Sequence, residues 1–268
     1  MEKDTLQQNF EGYLNTSILW HKADVYNIQQ FDLEPNYTLK FDVKVQEQLR
    51  LGKLVERFVF HELNANDDFD IVAENIQIRD GKRTVGEMDA LLMTKNGPLH
   101  LEIIYKFYLF DPSGGACELS HWIGPNRKDS LVQKLDKLKK KQLPLLYHSK
   151  TQIVLNNLKL NLSEIKQQVL FKAQLFLPFD YNEFPFGTLN PSCLKGFYLK
   201  LEELHHIEHA QFYIPPKGDW LMDCNADVDW MDFSDFQVEV SHWTHKKRSP
   251  LCWLHQKGKF SKLFVVWW

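Results

Sequence analysis

Residues 84–110, TVGEMDALLMTKNGPLHLEIIYKFYLF, constrain the fold of this chain more than any other stretch. Two apolar, aromatic-rich runs flank Asn96-Gly97, the dipeptide that turns a chain tightly enough to pair the flanking segments antiparallel. The reading is a strand over about Thr84–Met93, a turn at Asn96 and Gly97, and a strand over about Leu99–Phe110. Side chains alternate across a strand, so each run sorts into two faces. In the second run Leu99, Leu101, Ile103, Tyr105, Phe107 and Leu109 make an apolar face. His100, Glu102, Ile104, Lys106 and Tyr108 make the other. In the first run Glu87 and Asp89 share a face with Val85 and Leu91. Acids in such strands are costly unless a cation meets them.

The neighbouring segments supply a frame. From about Val45 to Leu63, Leu49, Gly52, Glu56, Val59, Phe60 and Leu63 recur every three or four residues, which predicts a helix with Glu56 on its inner stripe. FDIVAENIQI then reads as a strand closed by the glycine turn RDGKR. After an irregular stretch, a helix from about Lys128 to Gln142 is expected, with Leu131, Leu135, Leu138 and Gln142 inward and Pro144 ending it. VLFKAQLFL and KGFYLKLEEL read as strands, the first preceded by a short helix that Ser163 caps. The expected organisation is a helical segment over 1–40, an α/β core over 41–180, and an α+β region over 181–268; the last hundred residues of the chain show no clean period.

Composition excludes several classes. At 268 residues and 44% hydrophobic, the chain suffices for a large core. No apolar run is long enough to cross a bilayer, and MEKDTLQQNF is too polar for a signal peptide, so a cytoplasmic protein without a membrane partner is expected. The net charge of -3 argues against coating nucleic acid through bulk charge, leaving local patches such as KLDKLKKK. Cys117, Cys193, Cys224 and Cys252 lie far apart and read as free thiols.

A hairpin sets Asp89, Glu102 and Lys106 against one surface, with Glu56 facing it. Two carboxylates are the minimum that a hard cation such as Mg²⁺ takes, and a lysine beside them can steady charge developing on a phosphate. Helix with Glu, strand, GEMDALL, hairpin, then Glu followed by Lys resembles the PD-(D/E)XK nuclease superfamily. GEMDALLMTKNGPLHLEIIYKFYL, WIGPNRKDSLVQKLDKL, IPPKGDWL and FVVWW resemble, more narrowly, the bacterial family described as domain of unknown function 1853. The superfamily resemblance implies an α-β-β-β-α-β core and Mg²⁺- or Mn²⁺-dependent phosphodiester hydrolysis of nucleic acid. It implies Asp89 and Glu102 as metal ligands, Lys106 as the catalytic lysine, Glu56 as the orienting helix acid and Glu87 as an auxiliary acid. One departure stands out: Lys106 follows Glu102 by four residues rather than two, with Ile104 at the usual position.

Other readings stay open. The acids and Lys106 can be an ion-paired wet face of a sheet, giving a catalytically silent nucleic-acid- or protein-binding module. Lys134, Lys137 and Lys141 fit either a solvated helix face or a phosphate-contacting one, and Arg127 either an anion-binding loop or a plain helix entry. His205 and His209 have a zinc-like spacing without a third ligand. Trp243, Trp253, Trp267 and Trp268 suit core or interface better than base stacking. No protein partner is legible.

Overall fold

The computed structural model describes residues 3–21, 25–45, 49–181 and 184–268. The fold is mixed α/β, and the chain forms two compact units assembled from interleaved stretches. One holds 18–105 and 133–172; the other holds 1–17, 106–132 and 173–268.

In the unit of residues 18–105 and 133–172, helix α2 (Leu51–Asn64) buries Leu54, Val55, Phe58, Val59 and Leu63, and with them Glu56. Strands β1 (Phe69–Asp80) and β2 (Arg83–Thr94) pair antiparallel around Gly81, whose φ of +59° suits a residue without a side chain. β2 pairs antiparallel with β3 (Gly97–Phe110) from Thr94↔Gly97 to Ala90↔Leu101. The hairpin forms as read, but its loop residues are Lys95 and Asn96, and Gly97, at φ +97°, already opens β3.

The expected helix over 128–142 is α only at α3 (Leu131–Lys137), then widens into a π turn at Leu138–Gln142 and tightens into a 3-10 turn at Leu143–Tyr147. Helix α4 (Ser149–Asn157), capped by the His148 ring, was not read from the sequence. Before β5 (Lys166–Pro178), Asn161 rather than Ser163 caps a single 3-10 turn, its side chain accepting the Ser163 amide. Ile76, Ile78, Met88, Leu91, Leu146 and Leu155 form the core beneath this face.

In the other unit the end of β5 runs parallel to β6 (Leu194–Lys200), and β6 runs parallel to β9 (Lys259–Val266). β9 pairs antiparallel with β8 (Leu251–Gln256), and β8 with β7 (Gln211–Tyr213). KGFYLKLEEL is strand only to Lys200, after which Leu201–Ile207 wind as 3-10 turns. The short β4 (Trp122–Ile123) pairs with Leu109 and Phe110 of β3. Helix α1 (Lys3–Leu14) is tied to the 219–223 segment by Asn9 Nδ2 to Asp219 Oδ1, 3.2 Å, and Asn15 Nδ2 to Asp223 Oδ2, 2.7 Å. Helix α5 (Phe233–His245) puts Phe236 and Val240 against Leu199, Phe212, Leu254 and Leu263. The four cysteines are free, and among the described residues no helix is long and apolar enough to cross a membrane.

Candidate functional site

The β2–β3 ladder ends at Ala90↔Leu101, and one step further the same register sets Asp89 opposite Glu102. Directly opposed residues of an antiparallel pair share a face, so both carboxylates lie on one side. Here a side chain takes over from the main chain: Asp89 Oδ2 accepts the Ile103 amide at 2.8 Å. On β1 the residue between Glu74↔Ala90 and Ile76↔Met88 is Asn75, held at φ +52°. A left-handed conformation inside a strand is uncommon, and Asn tolerates it better than most residues.

Glu56 stands on α2 with Lys53 one turn before it. The Lys53 ammonium donates to Glu56 Oε2 at 2.8 Å, Glu87 Oε1 at 2.7 Å and Asn75 Oδ1 at 2.7 Å, tying the helix to both strands. Burial alone would lower the Lys53 pKa; the hydrogen bonds and charges of Glu56 and Glu87 outweigh it and raise it. Burial raises the Glu56 carboxyl, against the opposing pull of Lys53. Asp89 is pushed up to about 7, first by burial and then by the charges of Glu102 and Glu56, with the Ile103 amide and Lys53 working the other way.

Glu102 is fully buried and closed by neutral donors. His100 Nε2 lies 3.1 Å from its Oε1, and the Gln142 amide donates to its Oε2. Gln167 Nε2 contacts both His100 Nδ1 and the Leu143 carbonyl, at 2.8 and 2.7 Å. A flipped amide would set two oxygens against each other at Leu143. The Gln167 amide therefore donates, His100 Nδ1 accepts, and Nε2 carries the hydrogen given to Glu102. Lys134 Nζ reaches Gln142 Oε1 at 2.8 Å, so one of the three lysines read as a helix face polarises the amide that holds Glu102.

The structure thus brings together Glu56, Glu87, Asp89 and Glu102. Lys106 donates instead to Asp129 Oδ2 at 2.5 Å. Arg127 pairs with Asp111 at 2.6 Å. Lys137 and Lys141 are exposed beside Lys140, which pairs with Asp136. His205 sits in a 3-10 turn with its Nδ1 on the Glu202 carbonyl, and His209 lies against Glu208. Trp253 is fully buried.

Sequence reasoning missed Lys53, Asn75 and Gln167. Lys53 had a signal, since a cation one turn from an inward acid on a helix is placed to meet it.

The donors at Asp89, Glu102 and Glu56 are all carboxylate oxygens, the type that a hard divalent cation takes. The raised Asp89 pKa marks charge that a cation would relieve. Both Glu102 oxygens are already engaged, and among the described residues no group of three or more His, Cys, Asp or Glu side chains is placed to hold a metal ion. The donor chemistry fits at the level of two carboxylates.

No curated protein and no solved structure matches the chain. The sequence does match one family across nearly its whole length, residues 4–266, and the chain belongs to that family, described as Domain of unknown function (DUF1853).

Proposed function

We propose that this protein is a cytoplasmic, divalent-cation-dependent hydrolase of nucleic-acid phosphodiesters with a PD-(D/E)XK-like core. The observation that carries the reading is Asp89, opposite Glu102 on a shared face and raised to about 7 by burial and by like charge that Lys53 and the Ile103 amide only partly offset. The order helix α2, strands β1 to β3, helices, strand β5 also agrees with the α-β-β-β-α-β arrangement that the resemblance implies.

Asp89 and Glu102 would hold Mg²⁺ or Mn²⁺, which when bound supplies Lewis-acid polarisation of the phosphate and a more acidic water. Glu56 and Glu87 fix the Lys53 ammonium, and we assign to Lys53, rather than to Lys106, the role of the cation beside the acids. His100, Gln142 and Gln167 orient Glu102. Asp89 must shed its proton before it can act as a ligand, so cation affinity should fall as pH drops below about 7.

The test is cleavage of single- and double-stranded DNA and RNA with Mg²⁺ or Mn²⁺, beside calorimetric Mn²⁺ titration. Wild type should cleave at least one substrate, and Asp89→Asn and Glu102→Gln should each lose roughly 100-fold or more in rate. A second reading, a silent binding module, is favoured by the closed hydrogen bonding of Glu102. Absence of cleavage together with absence of Mn²⁺ binding would select it.

A further inference from the structure

The unit of residues 1–17, 106–132 and 173–268 carries a patch that the acid cluster does not use. The loop 124–127, the turn after α5 and the chain end are bound together by three hydrogen bonds. Ser249 N donates to Asn126 Oδ1 at 2.8 Å, Ser249 Oγ to the Pro125 carbonyl at 2.7 Å, and Trp268 Nε1 to the same carbonyl at 3.0 Å. On this frame three cations lie over three indoles. The Arg127 guanidinium is 4.5 Å from the Trp268 ring centre, Lys247 Nζ is 5.7 Å from Trp267, and the Arg248 guanidinium is 6.0 Å from Trp243. Lys128 and Lys246 add two more exposed cations.

Helix capping explains part of this. Cations after a helix C-terminus complement its dipole, which accounts for Lys246 at the end of α5. It does not account for Arg127 and Lys128, which come from another loop, nor for an indole beneath each of three cations. Arg127 is balanced by Asp111; among the described residues no carboxylate lies within ion-pair distance of Lys128, Lys246, Lys247 or Arg248. The patch is therefore net positive in a chain whose net charge is -3. Arg127 and Lys247 also hold positive φ, at 54° and 52°, so each turn is bent where its cation is presented.

Cations track a phosphate backbone, while half-exposed indoles and guanidinium planes offer stacking surfaces that only unpaired bases can reach. We propose that Arg127, Lys247, Arg248, Trp243, Trp267 and Trp268 form a binding surface for single-stranded nucleic acid. The proposal shares with the function above its class of partner, but rests on residues outside the acid cluster and requires no cleavage.

The experiment is fluorescence anisotropy on the full-length protein in EDTA, with a labelled mixed-sequence 20-mer as single-stranded DNA, single-stranded RNA and duplex. Because metal is absent, failure of the hydrolase reading leaves the result untouched. The single strand should bind at least about tenfold tighter than the duplex. The triple variant Lys246→Ala, Lys247→Ala, Arg248→Ala, all exposed positions, should weaken binding and lower the log-log salt slope by up to ~2, at ~0.7 per single-strand phosphate. Trp243→Leu should weaken single-strand binding roughly fivefold or more without changing that slope. Circular dichroism melting confirms that each variant is folded. Equal affinity for duplex and single strand, or an unchanged slope in the triple variant, overturns the proposal. Binding to vesicles containing phosphatidylserine with none to any oligonucleotide also overturns it and makes the patch a lipid-headgroup surface.

Discussion

Replacing Asp89 by Asn removes one charge and little else, since the amide oxygen still accepts from Ile103 and the volume is unchanged. In the folded protein this carboxyl titrates at about 7, against an ordinary value of 3.8. The folded state therefore holds the proton more tightly than the unfolded chain, and between pH 4 and 7 it binds more protons. Stability must fall as pH rises through that window and level off above it. About three pH units at ~1.36 kcal/mol each give a penalty of ~4 kcal/mol at pH 8. Loss of the charge-assisted bond to Ile103 returns ~1 kcal/mol of this. Asp89→Asn should thus be ~3 kcal/mol more stable than wild type at pH 8 and no more stable at pH 4. Urea denaturation of both proteins at five pH values measures the difference, which cancels titrations elsewhere. Adding 5 mM Mg²⁺ at pH 8 should stabilise wild type and leave the variant unmoved. A difference independent of pH would refute the reasoning, because no partly buried, charge-crowded acid would then sit at residue 89.

Three further outcomes follow from particular contacts. Lys53→Met strips the common donor from Glu56, Glu87 and Asn75 and should cost ~1 kcal/mol at pH 8, a figure kept small by the half-exposed lysine, with less lost as pH falls and the raised Glu56 carboxyl takes up its proton; pH-dependent urea melts read both. Gly196→Ala would set a Cβ 1.9 Å from the Lys262 carbonyl of the parallel partner strand, and should lower stability by ~3 kcal/mol or more or abolish soluble expression. Lys262 is buried, with a pKa that burial lowers to about 8 from 10.5, so the folded state disfavours the charge and stability should rise as pH climbs from 8 to 10. Lys262→Met should remove that slope, as thermal melting across the range would show.

The hairpin was legible because its two signals, a period of two and a turn dipeptide, are local. That Asp89 and Glu102 share a face follows from parity and register alone. The exact loop was not, because Gly97 serves as the first residue of β3 rather than as the turn's second. α5 escaped notice because it buries only Phe236, Val240 and Thr244, a single narrow row that the partly buried Phe233 extends and that Val238 lies off. In β8, Leu251, Cys252, Trp253 and Leu254 are all buried, so the strand has no alternation to read. Lys53 lay outside the strand pattern altogether: what brings it to Glu87 and Asn75 is the way α2 lies on β1 and β2, and no local period encodes a helix's placement on a sheet.

Gln142 shows how far a pattern reaches and where it stops. On the stripe Leu131, Leu135, Leu138, Gln142 it is the one polar member, and in the structure the π turn carries it to Glu102. The sequence marks the position as odd but cannot name the acid it serves. That pairing also decides the electrostatics of the site. Glu102 is met by an imidazole N–H and an amide, donors that satisfy its lone pairs without cancelling its charge. Its field is left to act on Asp89, the nearest carboxyl across the ladder, and burial strengthens it. Had Lys106 turned back to Glu102, that charge would be neutralised at its source and Asp89 would lie nearer its ordinary value. With Lys106 bound to Asp129, and Lys53 shared between Glu56 and Glu87, Asp89 is crowded by burial and like charge beyond what Lys53 and the Ile103 amide offset, and a proton or an added cation would relieve it.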